Sequence, residues 1–261
     1  MARSQLVIRN NYLSALVITY NEEINISRTL KSIEWIPLVL VVDSGSNDNT
    51  INIINQYSNT KILYRKFDTF ADQCNFGLRH LQSNWVLSLD ADYVLSSALS
   101  NEIKTIFSSY ISKSIYSGYN ISFSYCIGGK PIQSGLLPPR TCLYERKKAK
   151  YINIGHGHKV LIEGRIGNLI HKIYHDDRKS FNIWFKNQER YQQAEASMLK
   201  KTDSRSLSIQ DQIRKHSFVA PFVVFFICIV FRRGFLDGKQ GFIYAFQRLI
   251  TESLLYIYLN D

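Results

Sequence analysis

The stretch WVLSLDADYVL, residues 85–95, is an apolar run that leads into the acidic triplet Asp90-Ala91-Asp92. A second apolar run, in LVLVVDSGSNDNT at residues 38–50, ends in Asp43. Continuous apolar runs are typical of strands buried on both faces, as in a mostly parallel sheet covered by helices. Because such sheets bind ligands at the carboxyl ends of their strands, both runs place carboxylates at a predicted site.

Strands and helices are expected to alternate around these two runs. A strand at 13–20 precedes the first helix, residues 61–67 read as a third short strand, and a helix is predicted from about 70 to 80. This order predicts an α/β fold with a doubly wound, mostly parallel sheet and helices on both faces. A helix near 98–109 and further strands follow, and the pattern is helical from Lys179 onward.

Composition excludes several classes of protein. Hydrophobic residues make up 45% of the 261-residue chain and aromatic residues 13%, which excludes a disordered chain and permits a sizeable core. The four cysteines have no CxxC spacing, so neither a zinc ribbon nor a disulfide framework is predicted. A reducing cytoplasmic setting is expected.

The net charge of +11 is concentrated in the second half of the chain. Residues 1–139 hold 11 basic and 10 acidic side chains, whereas residues 140–261 hold 21 and 11. Such a basic half favours nucleic acid, an anionic membrane or a phosphorylated substrate as partner. No RNA-binding or zinc-finger signature accompanies it, so no nucleic acid partner is expected, and the inner surface of the cytoplasmic membrane is the predicted one.

The uncharged stretch FVAPFVVFFICIVF, residues 218–231, supports the membrane interpretation, and basic residues flank it on both sides. Its 14 residues fall short of the roughly 20 that a helix needs to cross a bilayer. An interfacial or re-entrant helix is therefore predicted, with a buried core helix as the alternative. We expect a peripheral or monotopic protein with a catalytic domain at 1–200 and a helical, membrane-associated region at 201–261.

The acidic triplet is suited to a particular chemistry. Two carboxylates one residue apart on a rigid strand end can hold a hard divalent cation that bridges phosphate oxygens. The alternative is that Asp90 and Asp92 are turn and capping residues before the next helix. A further carboxylate, Asp43, at a second strand end favours a site for a metal-bound diphosphate.

Three motifs, VITYNEE, VVDSGSNDNT and SLDADYVL, occur in this order and resemble the signature of family 2 inverting glycosyltransferases with the GT-A fold. FADQCNFGLRH, HDDRK, NQERYQQAEA and RRGFLDGKQGF resemble further blocks of bacterial enzymes that build lipopolysaccharide cores and exopolysaccharides. The resemblance covers about residues 12 to 260. It implies transfer of a sugar from a nucleotide-diphosphate donor, a UDP-sugar, to a cell-envelope glycan or glycolipid acceptor.

On the donor side, the resemblance implies that Asp43 contacts the nucleotide base. It also implies that Asp90 contacts ribose or metal, and that Asp92 ligates Mg²⁺ or Mn²⁺ between the two phosphates. Such a cation would stabilise the nucleoside diphosphate as it leaves.

The other predicted donor contacts lie at the first two strand ends or beside the diphosphate, and they are Thr19, Tyr20, Glu22, Ser44 and Gln73. The NEE segment has a simple helix cap as its alternative interpretation. Gln73 stands where the family often has a basic residue beside the diphosphate. Arg65, Lys66 and Arg79 remain open as sources of that charge.

An inverting transferase needs a base that accepts the proton of the attacking hydroxyl. Related enzymes often show His-Glu at the corresponding strand, but here Lys159 follows His158. The carboxylates Asp176 and Asp177 of HDDRK are predicted to take this role. Glu163 and the imidazole of His158 are the alternatives.

The histidine count alone would permit a zinc site built from His156, His158, His171 and His175. No cysteine lies near them in sequence, so a single imidazole beside the catalytic metal or the diphosphate is favoured.

Two other classes of function compete with a transferase. A membrane-attached nucleotide-sugar-binding protein that has lost its base is consistent with Lys159 in place of a carboxylate. A sugar-nucleotide pyrophosphorylase is disfavoured, because VITYNEE offers no glycine-rich phosphate loop after the first strand.

Overall fold

The computed structural model describes residues 12–109, 114–154, 157–203 and 207–261, so His156 lies outside the described residues. The chain forms two compact units, each assembled from separate segments. The first contains the described residues up to Ser124 together with Leu137–Asn153 and Gly157–Asp176. The second contains Tyr125–Leu136, Ile154 and the described part of Asp177–Asp261. The division into domains 1–200 and 201–261 stays a prediction.

The strands of the chain are β1 (Leu13–Thr19), β2 (Val39–Asp43), β3 (Thr60–Tyr64), β4 (Trp85–Asp90), β5 (Tyr93–Leu95), β6 (Tyr116–Ile127), β7 (Lys130–Pro131), β8 (Arg140–Glu145), β9 (Ala149–Ile154), β10 (Gly157–Ile162) and β11 (Arg165–His175). The first four pair in parallel in the order β3-β2-β1-β4. The sheet continues from β4 through β8, β6 and β11 to β5, and β9 pairs with β10 separately.

The sheet is mixed, so the prediction of a mostly parallel sheet was wrong for its second half. β8 runs antiparallel to β4 and to β6, and β11 runs antiparallel to β5. Buried and exposed residues alternate along much of β11. This alternation is typical of antiparallel strands with one solvated face, whereas β1 and β2 are buried on both faces as parallel strands require.

Helices of the first unit cover both faces of the parallel half, and they are α1 (Ile26–Ser32), α2 (Thr50–Ile54), α3 (Phe70–His80) and α4 (Ser97–Ser109). β1 shows the division, because Ala15 and Val17 face the core beneath α1 and α4 while Leu16 packs with α3. A methyl group at Gly77 would overlap Leu16, so glycine there lets α3 lie close to the sheet. The α/β architecture with helices on both faces is thus confirmed.

The second unit is largely helical, with α5 (Phe181–Lys201), α6 (Ile209–His216), α7 (Ala220–Phe226) and α8 (Lys239–Asn260). The uncharged stretch forms α7 and the π-helical turn Ile227–Phe231 that follows it. Cys228 is fully buried against Tyr244 and Ala245 of α8. One side of the stretch therefore belongs to the core of this unit.

A buried carboxylate links three helices of the second unit. Glu252 of α8 is 4% exposed and accepts from Arg214 of α6 at 2.8 Å and from Arg248 at 2.6 Å. Arg214 also lies 3.4 Å from Glu195 of α5. Each buried charge thus has a partner of opposite sign, as burial of charge requires.

In the described ranges, the helices are all too short or too polar to traverse a lipid bilayer.

Candidate active site

Three predicted donor residues lie at one edge of the sheet. The parallel register pairs Thr19 of β1 with Asp43 of β2, and it pairs Ile18 with Asp90 of β4. The carboxyl ends of three neighbouring strands therefore meet where an α/β sheet binds its ligands.

Asp43 organises the loop that follows β2. The residue is 3% exposed, and its Oδ2 accepts from the backbone N–H of Gly45 at 2.8 Å and of Ser46 at 2.9 Å. Its Oδ1 accepts from the Ser46 hydroxyl at 2.5 Å. Gly45 has a φ of 100°, a conformation that favours glycine. Both carboxylate oxygens thus shape the site edge, and the contact of Asp43 with a nucleotide base stays a prediction.

The NEE segment connects the ends of β1 and β2. The backbone N–H of Glu22 donates to the Thr50 hydroxyl at 2.8 Å, and the Glu22 carboxylate accepts from the Asn25 side chain at 2.8 Å. Glu23 accepts from the backbone N–H of Asn49 at 2.9 Å. Tyr20, just after β1, leaves 54% of its surface exposed. This aromatic ring is accessible at the edge where a planar base is expected.

Gln73 of α3 fixes the same loop from the other side. Its amide nitrogen donates to the Ser44 hydroxyl at 2.7 Å and to the Arg65 carbonyl at 2.8 Å. Arg65 in turn forms two hydrogen bonds with Asp68, at 2.6 and 2.5 Å, and one with Gln73 at 3.1 Å. The charge of Arg65 is therefore already paired with a carboxylate.

Asp92 contacts His175, one of the four histidines whose number alone would permit a zinc site. Residue Asp92 follows β4, and its Oδ2 lies 3.0 Å from Nε2 of His175 at the end of β11. The antiparallel register of β5 and β11 pairs His175 with Tyr93, directly beside Asp92. The side chains of Asp92 and His175 are 14% and 21% exposed. In the sequence, His175 is the histidine that opens HDDRK, the segment whose two carboxylates were predicted to act as the base.

These side chains fit a divalent cation that binds together with phosphate. Across the described ranges, no group of three or more His, Cys, Asp and Glu side chains is arranged as a complete metal site. Asp92 and His175 nevertheless supply one oxygen and one nitrogen donor, with Asp90 two residues away along the chain. Mg²⁺ and related cations are commonly held by one or two carboxylates, with substrate phosphates and waters completing the shell.

The two predicted carboxylate bases have different environments. Asp176 is 6% exposed, and its carboxylate lies 3.3 Å from Nε of Arg28. Its backbone N–H donates to the Asp92 carbonyl at 3.0 Å, which ties the HDDRK segment to the acidic triplet. Asp177 begins the last segment of the second unit, where it accepts from the Lys179 backbone N–H at 3.0 Å. Asp176 is thus committed to an ion pair in the first unit.

His158 of β10 is half-buried between two aromatic rings. Its ring centroid lies 5.7 Å from that of Phe70 and 5.3 Å from that of Tyr151. Burial lowers the pKa of His158 below its ordinary value of 6.5; Asp90 opposes this shift, and Arg140 adds to it. The imidazole is therefore neutral at neutral pH and able to accept a proton. Glu163, the remaining alternative, is exposed between β10 and β11.

Residues 14–106 match the family model described as glycosyl transferase family 2. An uncharacterized glycosyltransferase of Rickettsia typhi is 30% identical over 62% of this chain, and the match spans 56% of that protein's length. A lipopolysaccharide core biosynthesis glycosyltransferase of Rhizobium meliloti, LpsC, is 24% identical over 94% of this chain and 92% of its own length.

Two solved structures share the fold. TarS residues 1–349 of S. aureus, in complex with UDP-GlcNAc, is 15% identical with a TM-score of 0.51, covering 94% of this chain and 90% of that one. Glucosyl-3-phosphoglycerate synthase of Mycobacterium tuberculosis, in complex with Mn²⁺, UDP and glucosyl-3-phosphoglycerate, is 13% identical with a TM-score of 0.50. This second likeness covers 77% of this chain and 85% of that one.

We expect Asp43→Ala to lower the free energy of unfolding by about 2–4 kcal/mol, because three donors of the β2 loop lose their buried acceptor. Urea unfolding followed by circular dichroism measures the change. Asp72→Ala is the matched control, since this carboxylate in the first turn of α3 is exposed and accepts from the Thr69 hydroxyl at 2.7 Å. Equal losses in the two variants would contradict the role assigned to Asp43.

Proposed function

We propose that this chain is a family 2 glycosyltransferase and assign it a specific reaction. The chain moves a sugar from a UDP-sugar to a glycan or glycolipid of the cell envelope, with inversion at the anomeric carbon. The acceptor oxygen forms a bond to C1 of the sugar as the bond from C1 to the β-phosphate oxygen breaks. The electron pair leaves with UDP, and the hydroxyl proton passes to a base. The name of the LpsC relative supports lipopolysaccharide biosynthesis, and an exopolysaccharide is the related alternative.

The observation that carries this proposal is the hydrogen bond between Asp92 and His175, 3.0 Å long, beside the strand ends that hold Asp43 and Asp90. Asp92 and His175 would hold Mg²⁺ or Mn²⁺, with Asp90 at the ribose or at the cation. A bound cation of this kind neutralises charge on the departing diphosphate. The Mn²⁺ and UDP of the structurally similar synthase support this assignment.

Two side chains, His158 and Asp177, are proposed as candidates for the base. His158 is favoured over Asp176, because the imidazole is neutral whereas the Asp176 carboxylate is paired with Arg28 at 3.3 Å. Asp177 is the competing base. A base with a pKa close to the working pH is the more effective proton acceptor, which also favours an imidazole.

We further propose that the second unit contacts the inner surface of the cytoplasmic membrane. Large apolar side chains before and after α7 are exposed, including Phe218 at 67%, Phe231 at 79% and Leu236 at 64%. Phe222 and Phe226, one helical turn apart on α7, are 55% and 58% exposed. Arg232 and Arg233 are exposed within this segment. Exposed aromatics flanked by cations are suited to the interface of an anionic bilayer.

A non-catalytic binding protein is the second candidate function, and the ion pair of Asp176 with Arg28 favours it. Such a protein binds UDP and the cation without turnover. Release of UDP from a UDP-sugar in the presence of an envelope extract distinguishes the two functions, because only the transferase produces it.

Asp92→Asn is expected to abolish the rise in melting temperature that UDP and Mn²⁺ together produce, because ligand binding stabilises the folded state only while the site holds the cation. Differential scanning fluorimetry with UDP, Mn²⁺ and both together measures this effect. Glu34→Gln removes an exposed carboxylate and is expected to behave as the unaltered protein. Full stabilisation of Asp92→Asn by UDP and Mn²⁺ would rule out the proposed metal site.

The rate of UDP release is expected to fall with decreasing pH at values below 6.5, because protonated His158 cannot accept the hydroxyl proton. His158→Gln should remove this limb of the pH profile and reduce the rate by about 100-fold or more. His80→Gln, a change of an exposed histidine, serves as the control. Loss of UDP release in Asp177→Asn, with the rate of His158→Gln unchanged, would identify Asp177 as the base instead.

The triple substitution Phe222→Ser, Phe226→Ser and Phe231→Ser is expected to reduce co-flotation with phosphatidylglycerol vesicles about tenfold or more, because it removes exposed apolar surface from the bilayer contact. The matched control replaces three exposed apolar residues of the first unit: Leu161, Ile166 and Ile170. Equal flotation of the two triple variants would contradict the membrane contact.

A further inference from the structure

A diphosphate site on this sheet edge needs a cation besides the metal. Asp90 and Asp92 place two carboxylates beside the expected phosphates, and these carboxylates together with a diphosphate carry more negative charge than one divalent cation neutralises. Gln73 at this edge is neutral, 1% exposed and hydrogen-bonded to Ser44. Arg65 is engaged by Asp68 at 2.5 Å. Lys66 and Arg79 stay open as sources of positive charge, and a further cation lies on another element.

Arg140 lies in a position to supply this charge. It is the first residue of β8, and β8 runs antiparallel to β4 with Trp85 opposite Glu145 and Leu87 opposite Leu143. Because the two strands run antiparallel, the first residue of β8 lies toward the end of β4 that carries Asp90. As a residue Arg140 is exposed. β8 thus brings a cation to the strand end that carries the acidic triplet.

Tyr93 holds the guanidinium in place. Nη1 of Arg140 donates to the Tyr93 hydroxyl at 3.2 Å. Tyr93 is 5% exposed, and its ring packs edge-on against His175 with centroids 5.2 Å apart. The same tyrosine therefore contacts the proposed metal ligand and the arginine. The carboxylates Asp90 and Asp92 help to raise the pKa of Arg140, after the larger contribution of Tyr93, so the charge is permanent.

We propose that Arg140 binds the diphosphate of the nucleotide-sugar donor and stabilises the nucleoside diphosphate as it leaves, with Tyr93 as the positioning residue. This inference rests on the proposed function. Guanidinium N–H groups match the non-bridging oxygens of phosphate in a two-pronged geometry. As the bond from C1 to the β-phosphate oxygen breaks, negative charge grows on the diphosphate and strengthens this contact. Arg140 therefore supplies the positive charge that the neutral side chain of Gln73 cannot provide.

The test compares the binding of UDP and UMP in the presence of Mn²⁺ by isothermal titration calorimetry. Arg140→Gln is expected to weaken UDP binding about 10- to 100-fold and UMP binding much less, because UMP lacks the second phosphate. Arg140→Lys should recover part of the loss, since lysine keeps the charge without the planar geometry. Tyr93→Phe keeps the guanidinium but loses its anchor, and a smaller loss of about threefold to tenfold is expected.

Arg165→Gln, which removes an equal charge from an exposed residue of β11, is expected to bind both nucleotides as the unaltered protein does. Unchanged UDP affinity in Arg140→Gln would overturn the role of Arg140 and leave the proposed function in place. Equal losses for UDP and UMP would also overturn it, because they indicate a general disturbance of the site. If the unaltered protein bound neither UDP nor another nucleoside diphosphate with Mn²⁺, both proposals would fall.

Discussion

The parallel pairing of β1 with β2 and β4 is the constraint on which the rest of the structure depends. It sets Thr19 beside Asp43 and Ile18 beside Asp90, so that polar groups gather at the carboxyl ends of three largely apolar strands. β1 and β2 are buried on both faces, so polar side chains can meet solvent or a ligand mainly at the strand ends. A shift of the register by one residue would reverse the facing of every side chain and disperse the site.

The antiparallel half of the sheet completes what the parallel half begins. β11 delivers His175 to Asp92, and the backbone of Asp176 continues the connection to the Asp92 carbonyl at 3.0 Å. β8 brings Arg140 to Tyr93. Parallel strands present the expected nucleotide contacts, whereas antiparallel strands supply an imidazole and a guanidinium. The proposed site uses both halves of the sheet, because a metal cation needs anionic ligands and a diphosphate needs cationic ones.

Much of the parallel half was predictable from local sequence. The helix expected at 70–80 is α3, and Asp43 and Asp90 end strands as their apolar runs indicate. The mixed sheet was not predictable in the same way, because the pairing of β8, β6 and β11 joins segments distant in sequence. Arg140 was missed for the same reason, and His175 was named as one of four histidines without its link to Asp92. Their importance depends on which residue lies opposite them across a strand pair.

The roles of the HDDRK carboxylates show a second limit of sequence reasoning. Sequence pattern indicates that a carboxylate is present, but its partner decides what the carboxylate does. Asp176 lies against Arg28, which comes 148 residues earlier in the chain, and no local motif reports that contact. Asp43 differs, because its oxygens accept three hydrogen bonds from its own loop. Both carboxylates thus have partners within the protein.

The most direct measurement is anomalous X-ray scattering from crystals of the protein grown with UDP and Mn²⁺. One strong manganese peak is expected within bonding distance of the Asp92 carboxylate and the His175 imidazole. The UDP phosphates are expected on that cation, and the uracil is expected at the ends of β1 and β2. A manganese ion and nucleotide bound elsewhere, with Asp92 and His175 still hydrogen-bonded to each other, would contradict the proposed site.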